Sequence, residues 1–132
     1  MMLIDANIWM YSAGSEDPHR EPSQRLLRQI AKGEVAGVVS VEILHEILHR
    51  YRSVNRWVQG NLVYESAREC CAAVLVVSED VLEEARELMH AFPRLKTRDA
   101  IHAATVRVHQ LDGIYSYDTD FDGIDGVRRI EP

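Results

Sequence analysis

Met2-Leu3-Ile4-Asp5-Ala6-Asn7 is the stretch on which the reading of this chain turns, because a short apolar run there ends on a carboxylate. Consecutive apolar residues read as a strand buried on both faces, and an acid at the inner end of such a strand is uncommon. Working outward, the same punctuation recurs. Residues 35–39 are β-branched around Gly37, residues 74–77 form a second apolar run, residues 114–117 a third, and residues 127–130 a last short one. Helical spacing fills the intervals. A turn-prone stretch over residues 12–22 leads to a helix at 23–30 that Gly33 stops. Ser40 caps a helix carrying Ile43, Leu44, Ile47, Leu48 and Tyr51. Another helix spans residues 61–72, and Ser78 caps one with Val81, Leu82, Ala85, Leu88 and Met89, closed by Pro93. Thr97 caps the last, with Ile101, Ala104, Val108 and Leu111, ended by Gly113. Strands alternating with helices predict an α/β chain with a parallel sheet covered on both faces, one domain over residues 1–132.

Composition supports a folded domain. With 132 residues, 46% of them apolar and 27% charged, the chain buries enough surface to fold without a disulfide or metal. No apolar run approaches the roughly 18 residues of a membrane span, and the start lacks a basic secretory n-region, so neither membrane nor export is expected. Cys70 and Cys71 are adjacent, which excludes a disulfide framework and points to a reducing, cytoplasmic setting with two half-buried helix thiols. Fifteen Lys and Arg against 21 Asp and Glu give a formal net charge of −6. A protein that coats nucleic acid is normally basic. An acidic one acts on nucleic acid when its surplus carboxylates hold divalent cations, which invert the local charge.

The positions of the acids therefore matter most. Asp5 follows the first strand, Asp118 and Asp120 follow the fourth, Glu46 lies on the helix after the second, and Asp99 opens the helix feeding the fourth. Ligands of open α/β sheets bind beyond the carboxyl ends of the strands, so four separated segments bring acids to one edge. Each has an ordinary explanation alone: Asp99 complements a helix dipole, Asp118, Asp120 and Asp122 form turns, and Glu46 is a solvated helix residue. Together they are oxygen-only ligands that suit Mg²⁺ or Mn²⁺, ions that activate water and neutralise a scissile phosphate.

Four segments carry a family resemblance. Leu3-Ile4-Asp5-Ala6-Asn7 resembles the opening motif of PIN-domain ribonucleases, and residues 40–48 are similar to the segment holding their central glutamate. Arg98-Asp99-Ala100-Ile101-His102-Ala103-Ala104 resembles their D-A-x-x-A-A helix, and Ser116-Tyr117-Asp118-Thr119-Asp120-Phe121 their [ST]-x-D-x-D-F motif. The ordered set spans residues 2–130 and is most similar to VapC-like toxins of toxin–antitoxin pairs. The resemblance implies a three-layer α/β/α PIN-like domain with four or five parallel strands in the order 3-2-1-4-5. It implies Asp5, Glu46, Asp99 and Asp118 as catalytic and metal ligands, Asp120 as a fifth ligand, and Asn7 and Ser116 as groups orienting the acids. Glu42 competes with Glu46, and spacing from Ser40 favours Glu46; His102 and Tyr117 are not diagnostic. The implied activity is metal-dependent endoribonuclease, leaving 5′-phosphate and 3′-hydroxyl ends, with an antitoxin as partner and a homodimer as assembly.

Two rivals stand beside it. His45-Glu46-Ile47-Leu48-His49 is a literal H-E-x-x-H, the zinc metalloprotease pattern, with Glu65 or Glu69 available as a third ligand. That reading leaves Asp5, Asp99 and Asp118 unexplained. A non-catalytic PIN-like RNA-binding module is the other, and the complete acid set argues against it. Arg50, Arg52 and Arg56 follow the Glu46 helix and Arg94, Lys96 and Arg98 precede Asp99; of these, Arg50, Arg52 and Arg98 are candidate RNA-phosphate contacts. Trp9, Tyr11, Trp57 and Val58 are candidate exposed contacts for the antitoxin or a second copy.

Overall fold

The computed structural model describes residues 1–132. Strand β1 (Met2–Ile4) runs directly into helix α1 (Ala6–Ala13), followed by α2 (Arg20–Ala31), β2 (Gly37–Ser40), α3 (Val41–Ser53) and α4 (Trp57–Cys70). Then come β3 (Val74–Leu75), α5 (Glu79–Ala91), α6 (Thr97–Val108), β4 (Gly113–Tyr115), a 3-10 turn (Thr119–Phe121) and β5 (Arg129–Ile130). The five strands form one sheet in the order β3-β2-β1-β4-β5, and every pairing is parallel. This is the order that the resemblance to PIN-domain ribonucleases implies.

The central strand shows why the sheet needs cover on both faces. Met2, Leu3 and Ile4 are all buried, and Leu3 registers with Val38 on one side and Ile114 on the other. Helices α3 and α4 pack on each other, as do α5 and α6. A contiguous cluster of 28 buried apolar residues, from Met2 to Val127, joins the layers. Two glycines permit close approaches. A Cβ on Gly60 would lie 2.4 Å from Tyr51 Cβ, where α4 crosses α3, and one on Gly113 would lie 2.2 Å from the Arg128 carbonyl oxygen beside β5.

Several local expectations need correction. Residues 74–77 are not a buried strand: only Val74 and Leu75 pair, at the sheet edge, with Val74 and Val76 exposed. The helix expected from residue 61 begins at Trp57. Thr97 is the first helical residue of α6 rather than its cap, and Lys96 before it makes no capping side-chain bond. Gly113 does not end α6; the helix stops at Val108, Gln110 takes the left-handed φ of 54°, and Gly113 belongs to β4. Trp9 is not a surface contact, being 1% exposed, because α1 starts at once after Asp5 and turns the indole into the core. Ser40 and Gly33 act as read: the Ser40 hydroxyl accepts from Ile43 N–H at 3.2 Å, and Gly33 follows α2 at φ 74°. Cys70 and Cys71 are free and half-buried, and burial pushes the Cys71 thiol up to about 12, favouring the protonated thiol. No helix is long and apolar enough to cross a membrane.

Candidate active site

Asp5 sits at the hinge from β1 into α1 and caps that helix. Its Oδ1 accepts the Ala6 N–H at 2.7 Å, and its Oδ2 accepts the Ser116 hydroxyl at 2.5 Å. Because β4 lies beside β1, the residue just after β4 reaches across to the residue just after β1. The Ser116 oxygen also accepts from Asn7 Nδ2 at 3.2 Å and from Asp118 N–H at 3.0 Å. One donor and two lone pairs are thus all used, and a single hydroxyl locks Asp5, Asn7 and Asp118 together. Asp118 Oδ1 in turn accepts Asp120 N–H at 2.9 Å, which opens the 3-10 turn.

Glu46 arrives from α3 and Asp99 from the first turn of α6. Glu46 Oε1 lies 3.0 Å from Arg98 Nη1, and Oε2 lies 3.7 Å from His102 Nε2, too long for a hydrogen bond but close for a charge contact. Two groups of ligand atoms result, each with its members within 4.8 Å of one another: Asp5, Glu46 and His102, and Asp99, Asp118 and Asp120. A cleft of about 170 Å³ is lined by Asp5, Asn7, Glu46, Asp99 and Asp118, together with Arg50 and Arg98.

Burial and crowded charge shift the titration of several groups along this edge. Burial raises the Asp5 pKa, against the lowering pull of His102 and the Ser116 hydroxyl. Asp99 is raised to about 6, first by burial and then by the Asp118 charge. Burial raises Glu46 too, but the His102 imidazole and Arg98 together outweigh it and hold the carboxyl below its ordinary value. His102, which burial would lower, is raised by Glu46, Asp5 and Asp99. Burial and neighbouring carboxylates thus raise Asp5 and Asp99, while the imidazole and the guanidinium stabilise the charge on Glu46. An oxygen-rich donor set with one buried imidazole fits a divalent cation.

The expected acids and their orienting groups therefore meet, with Asp120 beside Asp99 and Asp118. Glu42 turns away and lies 3.3 Å from His45 Nδ1. The H-E-x-x-H pattern does not assemble a zinc site: His45 and His49 are exposed with ring centroids 6.1 Å apart, and neither belongs to a group able to hold an ion. Arg52 stacks 4.3 Å over the Trp57 ring instead of lining the cleft. Arg94 donates to the carbonyls of Asp120 and Asp122, bracing the 3-10 turn. Tyr117, His19 and Tyr11 form an aromatic cluster behind Asp118, with His19 and Tyr117 stacked at 3.9 Å. The residue that sequence reading passed over is His102, although it lies three positions after Asp99 on one helix face, the spacing at which side chains are neighbours.

Comparison with known proteins identifies the family and the fold. The family model described as PIN domain matches residues 2–127. Ribonuclease VapC13 of Mycobacterium tuberculosis is 32% identical over 130 residues, covering 98% of this chain and 99% of that one. The crystal structure of Mycobacterium tuberculosis VapC20, a Sarcin-Ricin loop cleaving toxin, superposes with TM-score 0.73 at 19% identity, over 97% of this chain and 99% of that one. VapBC2 from Rickettsia felis, bound to a DNA fragment from its promoter, superposes with TM-score 0.78 at 13% identity, over 98% and 97% of the two chains, so both share its fold.

Proposed function

The chain belongs to the PIN domain family, and from that premise we propose that it is a metal-dependent endoribonuclease, the toxin of a toxin–antitoxin pair. The observation that carries the reading is the meeting of Asp5, Glu46, Asp99 and Asp118 around one cleft at the carboxyl ends of β1 and β4, with Asp120 alongside. Asp5, Glu46, Asp99 and Asp118, with Asp120, would hold Mg²⁺ or Mn²⁺, and a bound ion would activate a water and neutralise the scissile phosphate.

This chain's own residues do the rest. Ser116 and the Ala6 N–H fix the Asp5 carboxylate, while Asn7 completes the Ser116 hydroxyl. Arg98, exposed and paired with Glu46, is positioned to exchange that carboxylate for an RNA phosphate, and Arg50 lines the same cleft. Arg52, tied to Trp57, contributes at most a peripheral charge. An antitoxin is the partner this reading requires, and the VapBC2 neighbour supports it. An antitoxin Arg inserted over the acids would take the cation's place. Trp57, Val58 and Leu62, exposed on α4, are contacts for that partner or for a second copy in a homodimer. The setting is cytoplasmic, where both cysteines stay reduced.

The test is cleavage of end-labelled RNA by purified protein with Mg²⁺, Mn²⁺ or EDTA, beside Asp99→Asn. Metal-dependent cutting that leaves 5′-phosphate ends and disappears in EDTA and in the variant supports the reading. Cutting that persists in both overturns it, and RNA binding without cutting at any metal concentration favours the non-catalytic module.

A further inference from the structure

We propose that His102 is a nitrogen ligand of the metal centre, joining Asp5 and Glu46, and that it makes the site prefer Mn²⁺ to Mg²⁺. The inference rests on reading the acidic edge as a metal centre. It starts from an imidazole that is 1% exposed and has no hydrogen-bond partner at either Nδ1 or Nε2. Buried polar groups nearly always find partners, and a histidine serving only as core filling normally settles one nitrogen on a carbonyl or hydroxyl. His102 has instead been carried by α6 to face carboxylates.

The three donors converge on a common point. His102 Nε2 lies 3.7 Å from Glu46 Oε2, and the ligand atoms of Asp5, Glu46 and His102 all fall within 4.8 Å of one another. Around a cation with bonds of about 2.1 Å, adjacent ligand atoms stand about 3.0 Å apart and opposite ones about 4.2 Å. The His102–Glu46 separation already falls between these two values, and torsional adjustment of the Glu46 and His102 side chains draws the three atoms toward one centre. Each donor retains capacity: Asp5 Oδ1 and Oδ2 each accept one hydrogen bond and keep a second lone pair, and Glu46 has its Arg98 contact on the other oxygen.

Nitrogen in the donor set sets the preference. Mg²⁺ favours oxygen ligands and retains its waters, whereas imidazole suits the transition-metal ions. Asp99, Asp118 and Asp120 form the all-oxygen group beside it, so the nitrogen distinguishes one half of the centre from the other.

Pulsed EPR of the Mn²⁺-loaded protein reads the ligand directly. The expected result is ¹⁴N modulation from a coordinated imidazole in the unaltered protein, absent in His102→Asn and His102→Ala. Calorimetry should show Mn²⁺ affinity falling about 10-fold or more in the variants, with Mg²⁺ affinity changing far less. Saturable Mn²⁺ binding without ¹⁴N modulation overturns the proposal and leaves the ribonuclease reading standing. Modulation that survives in the variants assigns the nitrogen elsewhere and overturns it as well, as does equal loss of both ions, which would make His102 a positioning residue for Glu46. Absence of any Mn²⁺ binding overturns the metal-centre reading together with this one. The spectrum of the unaltered protein decides the ligand even if a variant fails to fold.

Discussion

Asp5 and Asp118 flank the same cleft, yet the two sides of it are built by different means. On the Asp5 side the carboxylate ends a central strand, is buried, and has both oxygens fixed by hydrogen bonds from Ala6 and Ser116. On the Asp118 side, Asp118 and Asp120 ride a three-residue 3-10 turn and, with Asp99, are half-exposed. The buried side is balanced by an imidazole and a guanidinium, whereas the half-exposed side consists of three carboxylates that repel one another. One side is positioned by packing before any ligand arrives. The other holds charge that the fold tolerates only because water still reaches it.

The largest expected effect breaks the packed side. Asp5→Asn keeps the shape and removes the charge, and RNA cleavage should fall on the order of 10²–10³-fold, measured with a fluorogenic RNA at saturating metal. Ser116→Ala comes next. It frees Asp5, Asn7 and Asp118 from their shared hydroxyl, and losses of about 10–100-fold in metal affinity are typical for such supporting groups.

The half-exposed side is sharpened by pH. Asp99 titrates near 6 in the folded chain, above its ordinary value of 3.8, so the fold favours its protonated form. That contribution is fully present below the unfolded pKa and is lost as pH rises through about 6. In EDTA at pH 7.5, Asp99→Asn should therefore be more stable than the parent by on the order of 1 kcal/mol, after discounting for solvent screening. Urea unfolding at several pH values should show that advantage shrinking toward pH 4. The same protonation predicts that metal affinity declines as pH falls through about 6, measurable by calorimetry. The smallest effect belongs to Arg52→Ala. Losing the Trp57 stack should cost about 0.5–1 kcal/mol of stability with cleavage nearly unchanged.

These sides were unequally visible in the sequence. Asp5 and Asp118 were legible because each follows a strand within one residue or a few, and a strand's end is a local property. Glu46 and Asp99 were reached through motif spacing on helices whose caps and stripes are also local. His102 was not, because its spacing from Asp99 shows only that the two share a helix face, while its approach to Glu46 depends on how α6 settles against α3. The H-E-x-x-H string failed for a related reason. On α3, His45 and His49 share the solvent face while Glu46, about 100° around the helix from His45, faces Arg98 and His102. Trp9 misled in the opposite direction, since the short α1 gives too little periodicity to show which face it buries.

The brevity of the outer strands has a consequence for how copies of this chain meet. β3 and β5 contribute two residues each at the two margins of the sheet. Long unpaired margins are templates on which another polypeptide can lay a strand, and short ones deny it a foothold. Self-association by continuing the sheet across a boundary is therefore disfavoured. The homodimer proposed above would then join through its helices, where Trp57, Val58 and Leu62 stand exposed, and would leave the cleft between β1 and β4, at the middle of the sheet, out of any strand-to-strand seam.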